Sequence, residues 1–342
     1  MIFKTGVLML RPVFLCVVTL LWQVTVWALP VDWPQSGVIV LPDAGRTPLL
    51  KAIQDAKDSL QVAAYKLTDD TVVGALVEAA QRGVHIEILL TKNMYRHERQ
   101  VDQSQTRTAQ FERVGIKVYE APEYFEQLHY KMLVVDKNYA LVSTGNWDAE
   151  SFDGHTTEKP ARDFMVTLTE ENAIKELLDF FYKDVRREPT SSTRTHFIWS
   201  PDAGRKPFVT LIASAKKSLW IYQQDIQDST LVNAMADAAR RGIEVRLLMM
   251  PYPFDKSKDD NLPHQRYLKE RGAQVRLMTH LYGHAKVMIL DAGEESEKIY
   301  VGSANFYPQS LEKNRELGVV LENADAVECL KTVFLRDWHM AR

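Results

Sequence analysis

The chain contains an internal repeat that covers almost its entire length. The segment Pro42–Pro48 reappears with one difference as Pro201–Pro207, 159 residues later, and blocks around Gly83 and Gly242 keep the same offset. Later blocks are offset by 153 to 159 residues, because duplicated units accumulate small insertions and deletions in their loops. The repeat therefore predicts one pseudo-symmetric body made of two similar halves. We expect it to be a monomer.

The repeat also sets the predicted boundaries of the two halves. We expect the first half over residues 38–185 and the second over residues 196–342. They are joined by a polar segment without apolar periodicity, residues 186–195, which is the predicted linker.

Helix and strand patterns alternate within each half. Residues 60–65 and 84–90 have the apolar pattern of strands, and residues 71–81 have that of a helix closed by Gly83. The second half repeats this order. Such alternation predicts an α/β fold in which helices cover a mostly parallel sheet.

The first 28 residues have the pattern of an export signal. Lys4 and Arg11 precede an apolar run over residues 12–29, and small residues near Ala28 fit a cleavage site. An uncleaved anchor is the alternative, because roughly 17 to 25 apolar residues can span a bilayer. We therefore expect an exported protein, either periplasmic or secreted.

Each half carries one copy of the pattern His-x-Lys-x4-Asp. The residues after each lysine form a continuous apolar run, which predicts a buried strand. Because alternate residues of a strand point to the same face, the histidine and lysine of each copy can project into one pocket. The two copies are His129, Lys131 and Asp136 in the first half and His284, Lys286 and Asp291 in the second.

Two further polar positions follow each copy of the pattern. A turn of small residues ends at Asn146 in the first half and at Asn305 in the second, and farther on stand Asp163 and Glu316, each directly after an arginine. The asparagines could instead be ordinary turn residues, and the acidic residues could form surface ion pairs with the arginines. Their recurrence in both halves favours a role in the site.

This inventory suits attack on a phosphodiester, which is anionic and repels nucleophiles. Two lysines and two asparagine amides can neutralise and bind the phosphate. A neutral imidazole can then attack phosphorus while a second, protonated imidazole protonates the leaving alkoxide. Asp163 and Glu316 are the candidates to orient the two rings and stabilise their cations.

The duplicated motifs resemble those of the phospholipase D superfamily, and the resemblance extends over residues 38–342. It implies an α/β sandwich of two similar halves with the active site at their interface, on a pseudo-twofold axis. It also implies cleavage of phosphodiesters through a covalent phosphohistidine, with neither a metal nor another cofactor.

The resemblance also implies individual roles. His129 corresponds to the nucleophile and His284 to the general acid, although the near-symmetry of the motifs does not order them by itself. Asp136 and Asp291 are expected to hold local structure rather than to touch substrate. One departure is Ser143, which stands where the superfamily usually has glycine.

The substrate is less constrained by the sequence. The formal net charge is −3, and removal of Lys4 and Arg11 with the signal would make it about −5, which disfavours nucleic acid as a partner. The leading hypothesis is an exported phospholipase D-type phosphodiesterase that cleaves glycerophospholipid head groups at a membrane surface, by hydrolysis or head-group exchange. The alternatives are a cardiolipin synthase-like phosphatidyltransferase and a metal-independent endonuclease. Loops over residues 91–110 and 251–265 are expected to determine specificity.

Overall fold

The computed structural model describes residues 37–92, 107–153, 159–190, 197–255 and 257–342. The predicted export signal lies outside these ranges, as do residues 191–195 of the predicted linker. Within the described ranges no helix is both long and apolar enough to cross a membrane.

The first half folds into one sheet with helices. Its strands are β1 (Val38–Leu41), β2 (Ser59–Ala64), β3 (His85–Leu90), β4 (Lys117–Glu120), β5 (Lys131–Val135), β6 (Tyr139–Ser143) and β7 (Ala161–Leu168). Its helices are α1 (Thr47–Asp55), α2 (Asp70–Gln81), α3 (residues 107–113), α4 (Ala149–Phe152) and α5 (Glu171–Arg186).

The second half repeats this order of elements. Its strands are β8 (Phe197–Ser200), β9 (Ser218–Tyr222), β10 (Glu244–Met249), β11 (Gln274–Leu277), β12 (Tyr282–Gly283), β13 (Lys286–Leu290), β14 (Lys298–Gly302) and β15 (Glu316–Leu321). Its helices are α6 (Lys206–Ser214), α7 (Ser229–Arg240), α8 (Leu262–Lys269), α9 (Pro308–Glu312) and α10 (Ala324–Met340), and residues Pro253–Asp255 form a 3-10 turn.

The two sheets have the same strand order. It is β1-β7-β6-β5-β2-β3-β4 in the first half and β8-β15-β14-β13-β9-β10-β11 in the second. The strands predicted over residues 60–65 and 84–90 occur as β2 and β3, and the helix predicted over residues 71–81 occurs as α2. The prediction of an α/β fold with two pseudo-symmetric halves is confirmed.

The prediction of a mostly parallel sheet is wrong. Strands β2, β3 and β4 run parallel to one another, but β5, β6, β7 and β1 pair antiparallel, and the second sheet has the same mixture. The physical reason is the length of the connections: a short turn joins β5 to β6, and such a turn reverses the chain. Parallel neighbours need a longer crossover, which α2 provides between β2 and β3.

Among the described residues, the buried apolar side chains form three clusters. A central cluster joins side chains from both sheets with those of α5 and α10, including Val134, Phe181, Ile289 and Phe334. Separate clusters lie between the first sheet and α1 and α2, and between the second sheet and α6 and α7. The shared central cluster shows that the halves form one α/β sandwich.

Main-chain pairing also links the halves. Strand β12 of the second half pairs in parallel with the start of β7, so that Gly283 lies opposite Arg162. The equivalent contact in the other direction is a parallel bridge between Leu128 and Arg315. Each segment that leads into a histidine motif is therefore held against the arginine–acid pair of the opposite half.

Those arginines form buried ion pairs across the interface. Arg162 Nε donates to Asp337 at 2.7 Å, and Arg315 Nε donates to Asp184 at 2.9 Å. The four side chains are almost completely buried. These two ion pairs therefore lie inside the protein, and each acid receives a compensating charge from an arginine of the other half.

We expect Arg315→Met to lower the free energy of unfolding by about 3–5 kcal/mol, because it leaves Asp184 buried without its cation. The double variant Arg315→Met/Asp184→Leu should recover most of this loss. Arg336→Met, which breaks a half-exposed pair with Asp43, should cost less than about 1 kcal/mol. Urea unfolding followed by circular dichroism measures all three. A loss below about 1 kcal/mol for the single Arg315 variant would contradict this account.

Candidate active site

Both histidine–lysine pairs lie at a sheet edge where a strand begins. Lys131 is the first residue of β5, Lys286 is the first residue of β13, and each follows its histidine by two positions. The N–H of His129 donates to the main-chain carbonyl of Arg315 at 2.9 Å. In the other direction, the N–H of Ala285 donates to the main-chain carbonyl of Arg162 at 2.9 Å. The two motifs therefore meet at the interface between the halves.

Each motif histidine is bonded to a carboxylate from the other half. Nδ1 of His129 lies 2.8 Å from Oε2 of Glu316, and Nδ1 of His284 lies 2.9 Å and 3.0 Å from the two oxygens of Asp163. Burial alone would raise the pKa of both carboxyls, but the histidines and buried lysines hold it below its usual range. An ionised carboxylate only accepts hydrogen bonds. Nδ1 of each ring therefore carries a proton, and Nε2 is left for a substrate.

Hydroxyl groups at equivalent turn positions also bind the carboxylates. Thr144 Oγ1 donates to Asp163 at 2.6 Å, and Ser303 Oγ donates to Glu316 at 2.5 Å. Neither residue is among those predicted from the sequence. A hydroxyl at the second position of both turns is the signal that would identify them.

Glu316 accepts from more groups than Asp163 does. Its Oε1 receives the Ser310 hydroxyl at 2.5 Å and, at longer range, a side-chain amide, whereas both oxygens of Asp163 face His284. Because its charge is shared among several donors, Glu316 stabilises an imidazolium less than Asp163 does. Burial and the nearby lysines lower the pKa of His129 to about 4, and they also lower that of His284.

Two buried lysines supply positive charge to the site. Neither side chain has measurable exposure. Lys131 Nζ donates to the carbonyl of His129, whereas Lys286 Nζ has no hydrogen-bond partner among the described residues. Burial and the charge of Lys286 lower the pKa of Lys131 to about 7, and burial lowers that of Lys286 to about 8. An anion bound beside the lysines would offset the cost of burying them.

The two asparagine turns begin beside the lysines. In the sheet register, the first residue of each turn lies opposite the lysine of its own half. Asn146 and Asn305 are buried at the ends of these turns. Their Oδ1 atoms have no hydrogen-bond partner in the part of the chain that the structure describes. Because Oδ1 only accepts hydrogen bonds, contact with a phosphate oxygen falls to the Nδ2 group of each amide.

The neighbouring residues explain why the first turn accepts Ser143 where the second has Gly302. The Ser143 hydroxyl turns back on its own loop, where it accepts from the N–H of Gly145 at 3.0 Å. A Cβ at Gly302 would lie 2.3 Å from the hydroxyl oxygen of Tyr300. The equivalent of Tyr300 in the first half is Leu141, which is smaller. Serine therefore fits where the bulky neighbour is missing.

Asp136 and Asp291 lie away from the other motif residues. They follow the far ends of β5 and β13, which by strand geometry is about 16 Å from the lysines. The carboxylate of Asp136 accepts from the backbone N–H groups of residues 57–59, and that of Asp291 accepts from residues 216–218. Both carboxylates therefore fix the loop before a neighbouring strand.

The structure brings the other predicted residues together at one site. Two imidazoles whose Nδ1 atoms face carboxylates stand beside two buried lysines and two amides, and together these groups can bind an oxyanion, attack it and protonate a leaving group. In the ranges described above, no group of three or more His, Cys, Asp or Glu side chains could hold a metal ion. The residues of the site are His129, Lys131, Asn146, Asp163, His284, Lys286, Asn305 and Glu316.

We expect inorganic phosphate to raise the pKa of His284 by about 1–3 units, because a nearby anion counteracts the lysines and favours the imidazolium. NMR titration of the histidine ring nitrogens with and without saturating phosphate measures this shift. Lys286→Met should raise the pKa of His284 in the absence of phosphate, and the exposed His339 serves as the internal control. An unchanged His284 titration at saturating phosphate would contradict an anion site.

Comparisons with known proteins match both halves. The family described as "Cardiolipin synthase, PLD-like domain" matches residues 49–185 and again residues 208–338. The chain is 24% identical over 332 residues to cardiolipin synthase B of Salmonella typhi, across 85% of this chain and 78% of that protein. It is 31% identical over 139 residues to a cardiolipin synthase of Halalkalibacterium halodurans, across 40% of this chain and 27% of that protein.

Solved structures share the fold. Phosphatidylserine synthase of Haemophilus influenzae superposes with a TM-score of 0.68 at 14% identity, covering 90% of this chain and 88% of that chain. Polyphosphate kinase of Porphyromonas gingivalis superposes with a TM-score of 0.65 at 13% identity, covering 88% of this chain and 50% of that chain. At such low identity these likenesses show the architecture alone.

Proposed function

The chain belongs to the phospholipase D superfamily, and we propose that it is a cardiolipin synthase-like enzyme that transfers a phosphatidyl group from a phospholipid to an alcohol. The observation that carries the proposal is the pair of crosswise histidine–carboxylate contacts beside two buried lysines. The family match over both halves and the relatives described as cardiolipin synthases support transfer ahead of hydrolysis. Export across a membrane stays a prediction, because the signal lies outside the described residues.

The first step forms a covalent intermediate. The lysines and asparagines bind the non-bridging oxygens of the phosphodiester. Nε2 of His129 then attacks phosphorus, a P–N bond forms, and the bond from phosphorus to the alcohol oxygen breaks. His284, as an imidazolium, gives its Nε2 proton to that oxygen, so the head-group alcohol leaves neutral.

The second step reverses the first with a new alcohol. The incoming hydroxyl gives its proton to the neutral His284 while its oxygen attacks phosphorus. The P–N bond breaks and returns His129 as a neutral imidazole. Water in place of the alcohol would give hydrolysis, and the low exposure of the motif side chains limits that competition.

The unequal environments of the histidines support this order. His129 has the pKa of about 4 and the carboxylate whose charge is shared with several donors, which suits a neutral nucleophile. Asp163 directs both oxygens at His284 and can stabilise its cation, which suits a general acid. A bound phosphate would favour that protonated form further.

We expect His129→Ala and His284→Ala each to lower turnover of phospholipid by at least about a hundredfold, because general acid–base catalysis is worth roughly 10²–10⁴-fold. A p-nitrophenyl phosphodiester separates the two roles, since its leaving group needs no proton. With it, His284→Ala should still give a burst of p-nitrophenol, and His129→Ala should give none. Circular dichroism checks the fold, and His339→Ala is the exposed control. Bursts of equal size in both variants would reverse or refute the assignment.

We expect the purified chain, in EDTA, to convert vesicles of phosphatidylglycerol into diphosphatidylglycerol and free glycerol. Added short alcohols should divert product to the phosphatidyl alcohol, because a covalent intermediate is open to competing nucleophiles. Phosphatidic acid as the sole product would support hydrolysis instead. Cleavage of plasmid DNA without any reaction of the lipid would support a nuclease. Loss of activity in EDTA, restored by one divalent ion, would contradict the proposed chemistry.

A further inference from the structure

The two halves differ in the residues beside their histidines. After β2 the first half has Tyr65, and at the equivalent position after β9 the second half has Gln224. Two residues before the histidine the first half has Gln127 and the second has Tyr282. The histidine, lysine and asparagine of the site are the same in both halves. The exchange of tyrosine and glutamine therefore makes the surroundings of the two histidines chemically different.

The exchange changes what each imidazole faces. Tyr65 packs the edge of its ring against His129, with centroids 5.0 Å apart and an interplanar angle of 66°. Beside His284, the Tyr282 ring is tilted by 32° at a centroid distance of 6.3 Å. The Tyr282 hydroxyl accepts a hydrogen bond from Nε2 of Gln224 at 2.9 Å. The ring near His284 is therefore that of a tyrosine whose hydroxyl is bonded to the carboxamide of Gln224.

Gln224 is held rigidly by its own surroundings. Its side chain is buried, and its main-chain carbonyl accepts from Nδ2 of Asn261 at 3.1 Å. The fully buried Asn261 also accepts from the N–H of Ile226 through Oδ1 at 3.0 Å. Buried hydrogen bonds therefore fix the main chain at Gln224, and the bond to the Tyr282 hydroxyl orients its side-chain amide.

The loop after β10 is tied to the same tyrosine. The N–H of Phe254 donates to the Tyr282 hydroxyl at 3.4 Å, and a Cβ at Gly283 would lie 3.3 Å from that of Met250. Tyr252 and Phe254 adopt φ values of 53° and 62°, which bulky residues rarely adopt and which cost free energy. Part of the segment expected to determine specificity is thus fixed next to Tyr282.

We propose that Tyr282 and Gln224 form the subsite for the alcohol that leaves and enters at His284, and that this subsite takes an uncharged polyhydroxy alcohol such as a glycerol head group. The inference rests on the proposed function, in which the alcohol oxygen exchanges its proton with Nε2 of His284. The remainder of the alcohol then lies against the residues beside that ring. A phenol hydroxyl and a carboxamide both donate and accept, as the neighbouring hydroxyls of a polyol require.

The charges beside His284 argue against an ammonium head group. The carboxylate nearest to this ring is that of Asp163, and His284 and Thr144 already occupy its oxygens. The buried ammonium of Lys286 adds positive charge to the same site and would repel a second cation. An uncharged alcohol meets neither obstacle.

The test uses a phosphatidyl p-nitrophenyl ester as donor, so that the leaving group is the same in every reaction and only the acceptors compete. Glycerol and 1-propanol are supplied together, and the ratio of the two phosphatidyl alcohols is measured. Wild type should favour glycerol. Tyr282→Phe and Gln224→Leu should each lower the glycerol-to-propanol ratio roughly 3–10-fold, the value of one neutral hydrogen bond. Because both acceptors react with the same intermediate, a change in the overall rate of a variant does not alter this ratio.

Gln127→Leu, at the position of the first half equivalent to Tyr282, is the matched control and should leave the ratio unchanged. An unaltered ratio in both second-half variants, or an equal loss with both alcohols, would overturn the subsite while leaving the transfer reaction intact. A wild-type preference for ethanolamine over glycerol in the same competition would also overturn it. If wild type transfers to no alcohol at all, the proposed function fails and the subsite fails with it.

Discussion

The site depends on carboxylates that reach across the interface between the halves. His129 is bonded to Glu316, 187 positions later in the chain, and His284 is bonded to Asp163, 121 positions earlier. A buried carboxylate needs compensating donors or charge, and a buried imidazole needs a partner to fix its tautomer, so each group satisfies the other. Neither half could assemble a complete histidine–carboxylate pair from its own residues in this arrangement.

Other contacts across the interface hold the two histidine–carboxylate pairs in position. Main-chain pairing places each histidine segment beside the other half, and the buried Arg162–Asp337 and Arg315–Asp184 pairs hold the strands that carry the carboxylates. Each arginine directly precedes the carboxylate that bonds the opposite histidine. The side chains that stabilise the interface and those that orient the imidazoles therefore belong to the same short strand segments.

Pseudo-symmetry supplies two histidines, and departures from it make them different. Ser310 adds a hydroxyl to Glu316, whereas Asp163 keeps both oxygens on His284. The Tyr65 ring packs against His129 in a T-shaped contact, whereas the Tyr282 ring near His284 carries a hydroxyl bonded to Gln224. A reaction in which one imidazole attacks phosphorus and the other exchanges protons with an alcohol requires such a difference.

The sequence by itself determined the two-half α/β architecture and the residue types of the site, because duplication and strand alternation are local patterns. It predicted the sheet wrongly as mostly parallel, since the apolar runs of β5 and β6 do not reveal that a tight turn reverses the chain between them. Only the tertiary structure decided which carboxylate serves which histidine. Sequence proximity would pair His129 with Asp163, whereas packing of the halves pairs it with Glu316. Hydrogen bonds between groups more than a hundred positions apart depend on how the sheets pack, and no local pattern records that arrangement.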